Sequence, residues 1–205
     1  MIEIDRNKIY ESHGYQFKNF VILTKEEKLM VLGWRNHEKV RSMMVNKDLI
    51  AEEDHFRFIE SLKNRDDCYY WLVISPAGGY IGVLDILHVD MKNDTGEIGY
   101  YLNPDELGMG FEFIIECNYF VYGQLCLGNN LVTINLTNKE TLLFYNYLGG
   151  CFDGTEQVGD EVFGVNKHAN GRYIVDNYDK FSLLDFAKFV KRNRKKVVPH
   201  FQNQG

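Results

Sequence analysis

The sequence predicts an α/β (α+β) fold with a mixed, mostly antiparallel central sheet flanked by helices. Three observations carry that expectation. Segments of strand period and of helical period alternate in the order β-α-α-β-β-β-α-β-α-β-β. YYWLVIS, the turn sequence PAGG and YIGVLDILHVD follow one another as the two strands of a hairpin. EIGYYL then leads through a glycine-containing loop into the apolar helical run FEFIIECNYFVY.

Each element has a local reason. Residues 15–23, YQFKNFVIL, read as the first strand. Thr24 with Glu27 three residues on forms a capping box that opens a helix through TKEEKLMVLGWRNHEKV. A second helix over 51–63 presents Phe56, Ile59 and Leu62 at helical spacing. Strands at 69–75 and 80–90 flank PAGG, and the polar loop MKNDTG leads into a third strand, EIGYYL, at 97–102. A helix follows over 108–123, then the β-branched strand LVTINL at 131–136. NKETLLFYNYLGG reads as a short helix ended by Gly149. More strand-like segments follow, RYIVDNY being the clearest.

Ser182 can cap a final helix near 182–196, before a short tail. Leu183, Phe186, Phe189 and Val190 give it an apolar face, and its cations gather at the end where the helix dipole favours them. It is either a docked terminal helix or a basic partner-binding tail. No repeat and no Pro- or Ser-rich linker interrupts the chain, so residues 1–205 are read as one domain. Residues 151–180 carry no motif and are expected to complete the sheet and offer a homodimer edge.

Composition narrows the class. A chain of 205 residues, 45% hydrophobic and 25% charged, is that of an ordinary soluble globular protein. Its net charge of -6 argues against a general nucleic-acid binder. No apolar run reaches the length of a membrane span, and MIEIDRNK lacks the apolar core of a signal peptide. Cys68, Cys117, Cys126 and Cys151 are widely spaced among apolar neighbours, so they read as small buried hydrophobes in a reducing compartment. Their spacing does not suit zinc, no metal is expected, and the expected location is the cytoplasm.

The stretch NPDELGMGFEF, residues 103 to 113, is ambiguous alone. Gly108 and Gly110 between a strand and a helix can aim bare backbone N–H groups at a phosphate. The same residues also make a plain β–α turn, and Asp105 and Glu106 carry the wrong charge for an anion site.

Three ordered motifs place that loop in context. GGYIGVLDI followed by EIGYYLNPD, then DELGMG, then NKETLLFYNYLGG together resemble the GNAT superfamily of acyl-CoA-dependent N-acyltransferases over about residues 70–150. DELGMG is similar to that superfamily's [QR]-x-x-G-x-[GA] loop, except that Asp105 stands where a cation or amide is usual. The stretch MVLGWRNHEKVRSMMVNKDLIAEEDHFRFIESLK resembles N-acetyltransferases of nucleotide-linked amino sugars, as in the pseudaminic acid pathway. Its RNH triplet is shared with relatives that acetylate ribosomal proteins.

The resemblance implies a GNAT-like sheet and acetyl-CoA as cosubstrate. It assigns the CoA pyrophosphate to the backbone of Leu107, Gly108, Met109, Gly110 and Phe111, with Asp105 turned to solvent and Lys139 a neighbouring phosphate partner. Leu102 would polarise the thioester carbonyl through its N–H, where the central strand splays from its neighbour. Asn138 would hold the CoA arm, or cap its own helix. Tyr145 would protonate the departing thiolate, or pack as an aromatic beside Phe144, Tyr147 and Leu148. Glu97 is the candidate base, relaying the amine proton through water. Asp85, His88 and Tyr100 on adjacent strands are alternative bases, contacts to the acceptor, or structural groups.

Arg35, Asn36 and His37 fall in the acceptor-recognition segment, where an arginine fork suits phosphate. They can equally cap the first helix and pair with Glu38. Trp34, Phe56 and Tyr80 either stack a uracil or fill the core. The implied reaction is direct transfer from acetyl-CoA to the amine of a UDP-linked amino sugar, with no acyl-enzyme, because no cysteine occupies a motif position. Two alternatives remain: an acceptor that is a protein N-terminus or lysine, and a GNAT-like domain that binds CoA without turnover.

Overall fold

A computed structural model describes residues 3–106, 108–169 and 171–202, without the side chain of His168. Eight strands form one sheet: β1 (Ile9–Ser12), β2 (Tyr15–Asn19), β3 (Tyr69–Ile74), β4 (Tyr80–Asp90), β5 (Thr95–Leu102), β6 (Asn129–Asn135), β7 (Gly154–Val158) and β8 (Glu161–Ala169). Their spatial order is β1-β2-β3-β4-β5-β6-β8-β7. Every neighbouring pair is antiparallel except β5 and β6, which run parallel. The helices are α1 (Lys25–Asn36), α2 (Glu38–Arg41), α3 (Glu52–Ser61), α4 (Gly110–Tyr119), α5 (Lys139–Tyr147), α6 (Arg172–Asp176) and α7 (Leu183–Asn193).

Strand alternation sends side chains to two separate cores. On one face Trp71, Val73, Leu84 and Ile86 pack with Phe113, Cys117, Phe120 and Val121 from α4 and the turn beyond it. On the other face Leu72 and Val83 meet Val31 and Trp34 of α1, and Ile59 and Leu62 from α3 and its end. The sheet therefore presents one face to α4 and the opposite face to the α1–α3 layer.

The first helix starts where its capping box requires. Thr24 Oγ1 accepts from Glu27 N (3.2 Å), and Glu27 Oε2 accepts from Thr24 N (2.8 Å). The same carboxylate takes Lys18 Nζ from β2 at 2.8 Å and the Tyr80 hydroxyl from β4 at 3.1 Å. One cap thus ties α1 to two strands of the sheet.

Several expectations need correction. RYIVDNY is helical: α6 forms over Arg172–Asp176 with an Arg172–Asp176 pair at i,i+4, and only Ile174 of its residues is buried. Strand propensity gives way there to packing, with Ile174 and Val175 set against the core that α4 and the turn beyond it form. β1 is an extra strand, joined to β2 by a turn in which His13 and Gly14 both have positive φ (47° and 83°). The first predicted strand stops at Asn19 and continues as a short 3-10 turn. The predicted first helix is broken at His37, whose extended backbone ends α1 and caps α2. Of the cysteines, Cys68 and Cys117 are buried as expected, whereas Cys126 is exposed and Cys151 half-buried; all are free thiols. No helix among the described residues is long and apolar enough to cross a membrane.

Candidate active site

The sheet opens in its middle. β5 stays paired with β4 from Leu87↔Glu97 to Gly82↔Leu102. Its other neighbour, β6, accompanies it only across Thr95–Glu97, opposite Asn129–Leu131. Beyond that point β6 stays paired with β8 alone, on its other edge, from Val132↔Asn166 to Asn135↔Phe163. Asn130 Oδ1 takes the first freed amide, Ile98 N, at 3.0 Å. Asn103 N donates toward β4, to Ile81 O at 2.7 Å. By strand alternation the N–H groups of Tyr100 and Leu102 therefore face the opening.

α4 begins at the mouth of this opening. Gly108 has φ +89°, a conformation that L side chains rarely adopt, and a Cβ at Gly110 would stand 3.3 Å from the Leu102 side chain. Met109, the residue before the helix, makes no side-chain cap, so the first-turn amides are left to the loop. Phe111 turns inward against Phe144 and Phe186, and only its backbone belongs to the loop. Asn103 Oδ1 accepts from Asp105 N at 3.0 Å in an Asx turn, leaving Asp105 exposed. Leu107 lies outside the described residues.

The opening belongs to a cleft of about 1350 Å³ that reaches both faces of the sheet. Tyr145 lines it from α5. Its hydroxyl donates to Cys151 O (3.0 Å) and accepts from Asn166 Nδ2 (3.1 Å). Burial pushes the phenol up to about 12, with the Asn166 hydrogen bond opposing, so it stays protonated at neutral pH. A Cβ at Gly150 would run into the Tyr145 ring, so glycine there sets the ring's position. Asn138 lines the cleft and caps α5, its Oδ1 accepting from Thr141 N at 3.1 Å.

The acceptor side is the face under α1–α3. Asp85, Glu97, Tyr70, Tyr101, Arg35 and Phe58 line it. Register sets Asp85 beside Gly99 on β5 and Tyr70 on β3. Burial, then the neighbouring Glu97 charge, raises the Asp85 carboxyl to about 7. Arg35 Nη2 donates to Asn46 O at 2.7 Å, and its Nη1 is buried without a hydrogen-bond partner.

Other sequence-predicted residues lie elsewhere. Asn36 closes the following loop, donating to Ile50 O and accepting from Ile50 N at 2.9 Å each. His37 Nδ1 accepts from Lys39 N at 3.2 Å as the cap of α2. Neither lines the cleft. His88 sits in a β4 irregularity with φ +50°, exposed, its Nε2 3.8 Å from Glu97 Oε2. It does not line the cleft. Tyr100, by contrast, does line the cleft, but from the α4 face, edge-on to Phe113 at 6.1 Å and across the sheet from Asp85. Trp34 is core, Phe56 lies beside Lys28, and Tyr80 bonds Glu27; none lines the cleft. Sequence reading missed Asn118, Tyr122, Asn130 and Asn166 on the polar wall, because lone amides and one more aromatic among many carry no pattern. Among the described residues no group of His, Cys, Asp or Glu could hold a metal ion.

No family model matches the chain. It is 29% identical over 130 residues to Acetyltransferase PseH of Campylobacter jejuni serotype O:2, covering 63% of this chain and 80% of that protein. A solved structure of the Campylobacter jejuni N-acetyltransferase PseH with acetyl coenzyme A superposes with a TM-score of 0.57 at 22% identity, over 76% of this chain and 99% of that one. Spermidine N-acetyltransferase from Vibrio cholerae, in complex with CoA and spermine, gives 0.66 at 11% identity over 80% and 99%. A GCN5-related N-acetyltransferase from Brucella melitensis gives 0.64 at 14% identity over 90% and 95%. The chain has the fold of these N-acetyltransferases and is similar in sequence to the PseH acetyltransferases.

Proposed function

We propose that the protein transfers acetyl from acetyl-CoA to the free amine of a nucleotide-linked amino sugar by direct attack in a ternary complex. The observation that carries this is the open edge of β5, which ends at Leu102 beside Gly110 of the glycine loop and borders a cleft face bearing two carboxylates. The likeness to PseH supports a sugar acceptor.

In this reading the amides from Gly108 to Phe111 hold the pyrophosphate, and Asn138 steadies the CoA arm. An N–H on the open edge of β5 takes the charge that develops on the thioester oxygen. Tyr145 turns from Cys151 O to protonate the sulfur, and the amine's proton leaves toward the Asp85–Glu97 pair. Arg35, with a buried guanidinium nitrogen free of a hydrogen bond, is the cation for the nucleotide phosphates. The four free thiols suit a cytoplasmic protein. β7, exposed along the sheet edge from Thr155 to Val158, is the surface for a homodimer.

Incubation with acetyl-CoA and a panel of UDP-linked amino sugars should release free CoA thiol. Silence across that panel would remove the sugar assignment. The paired carboxylates favour one second reading, a polycationic amine such as a polyamine, so spermidine belongs in the same assay.

A further inference from the structure

The geometry points to Asp85 as the group that takes the proton from the acceptor amine, with Gly99 as the positioning residue that makes room for it. This rests on the acetyl-transfer reading and replaces Glu97 as the base.

Four observations converge. Asp85 on β4 is registered opposite Gly99 on β5, in the cleft. A Cβ at Gly99 would stand 2.5 Å from Asp85 Oδ1, so the carboxylate lies over the β5 backbone, where any other residue would put its side chain. Among the described residues Asp85 makes no hydrogen bond or ion pair, unlike Glu97, which has His88 within 3.8 Å. The residue after Gly99 is Tyr100, whose N–H faces the open edge. A proton acceptor and an oxyanion donor are thereby one residue apart along β5, roughly 3.3 Å of rise.

The surroundings fit a base for an ammonium. Glu97 and Tyr101 of β5 and Tyr70 of β3 share this face with the carboxylate, and Arg35 of α1 acts on Tyr101. Burial and Glu97 hold Asp85 near the operating pH, where a base is most effective. Two carboxylates with one charge to spare also attract a cationic acceptor.

The step balances as follows. The ammonium passes one proton to the Asp85 carboxylate, and the freed lone pair forms the N–C bond at the thioester carbon. The carbonyl electron pair moves to oxygen, held by the Tyr100 N–H. Collapse breaks the C–S bond, the nitrogen loses a second proton, and the sulfur gains one. The products are the amide, the free thiol and a protonated Asp85, which returns its proton to water.

The test is a pH profile of acetylation with the amine that the UDP-sugar and spermidine panel identifies. Wild type should show an ascending limb in kcat/KM near pH 7. Asp85→Asn should abolish that limb and lower the rate by about a hundredfold or more. Glu97→Gln should move the limb to lower pH by removing the charge that raises Asp85. Gly99→Ala should lose turnover while calorimetry finds acetyl-CoA affinity unchanged. A full rate and an intact limb in Asp85→Asn would overturn the assignment.

A second measurement needs no acceptor. Carbon-13 carboxyl NMR of the unliganded wild-type chain should find Asp85 titrating near pH 7. A midpoint in the ordinary carboxylate range would overturn the assignment by itself. No acetylation of any amine, with Asp85 titrating near 7, would instead overturn acetyl transfer and the role together.

Discussion

Tyr145 shows what a single side chain needs before it can act as an acid. Its phenol must keep its proton at neutral pH, and burial ensures that by raising it to about 12. It must also be aimed, which Gly150 does by leaving room for the ring and Asn166 by bonding the hydroxyl. Tyr145→Phe should therefore slow turnover by about a hundredfold, the scale of a lost proton donor, while leaving CoA affinity intact. Steady-state rates with calorimetry check this, and unchanged turnover would assign the phenol to packing alone. Tyr145 was legible because a family motif marked it, and Gly150 lay in the same motif. Asn166 was not, because a lone amide within VNKHAN has no pattern until β8 carries it beside α5. Asn36 and His37 show the converse: a motif-like triplet whose members cap and close the backbone, with Arg35 alone reaching the cleft.

Among the elements, α1 is the one whose start was most legible, since a capping box needs only residues three apart. What the sequence hid is that Glu27 also receives Lys18 and Tyr80, because those arrive from β2 and β4. Thr24→Ala should cost about 1 kcal/mol of stability, measured by denaturant unfolding. Burial works to raise the Glu27 carboxyl, but Lys18 and the Thr24 amide outweigh it and hold it below its ordinary value. A carboxyl depressed in the folded state stabilises above its unfolded pKa, and that contribution fades as pH falls through the folded value. Stability should thus drop on acidification below the usual carboxylate range, and Glu27→Gln should be less stable at neutral pH with a flatter acid limb. A parallel loss in both proteins at every pH would remove Glu27 from that role. α6 was misread for the opposite reason. Its β-branched Ile174 and Val175 favour a strand, and only the tertiary packing of both against the α4 side of the core shows why a short helix forms instead.

For the whole molecule, the central feature is a sheet that divides between β5 and β6 after three paired residues. The strands flanking that division were readable from period and turn chemistry. The division itself was not, because it depends on β6 parting from β5 while it stays paired with β8, a strand distant in sequence. A cleft opened this way costs sheet hydrogen bonds, and Asn130 restores only one of them. A ligand that lies along the open edge and reaches the α4 and α5 starts would close the gap from both sides. Acetyl-CoA at a hundred times its Kd should therefore stabilise the chain by about 2.7 kcal/mol. For a chain of 205 residues that corresponds to a rise in Tm of roughly 5–10 °C, readable by calorimetry. Hydrogen exchange should slow at the Tyr100 and Leu102 amides together, since both face the opening. Protection confined to the Gly108–Phe111 loop would mean that the donor stops at the pyrophosphate site and never enters the divided sheet.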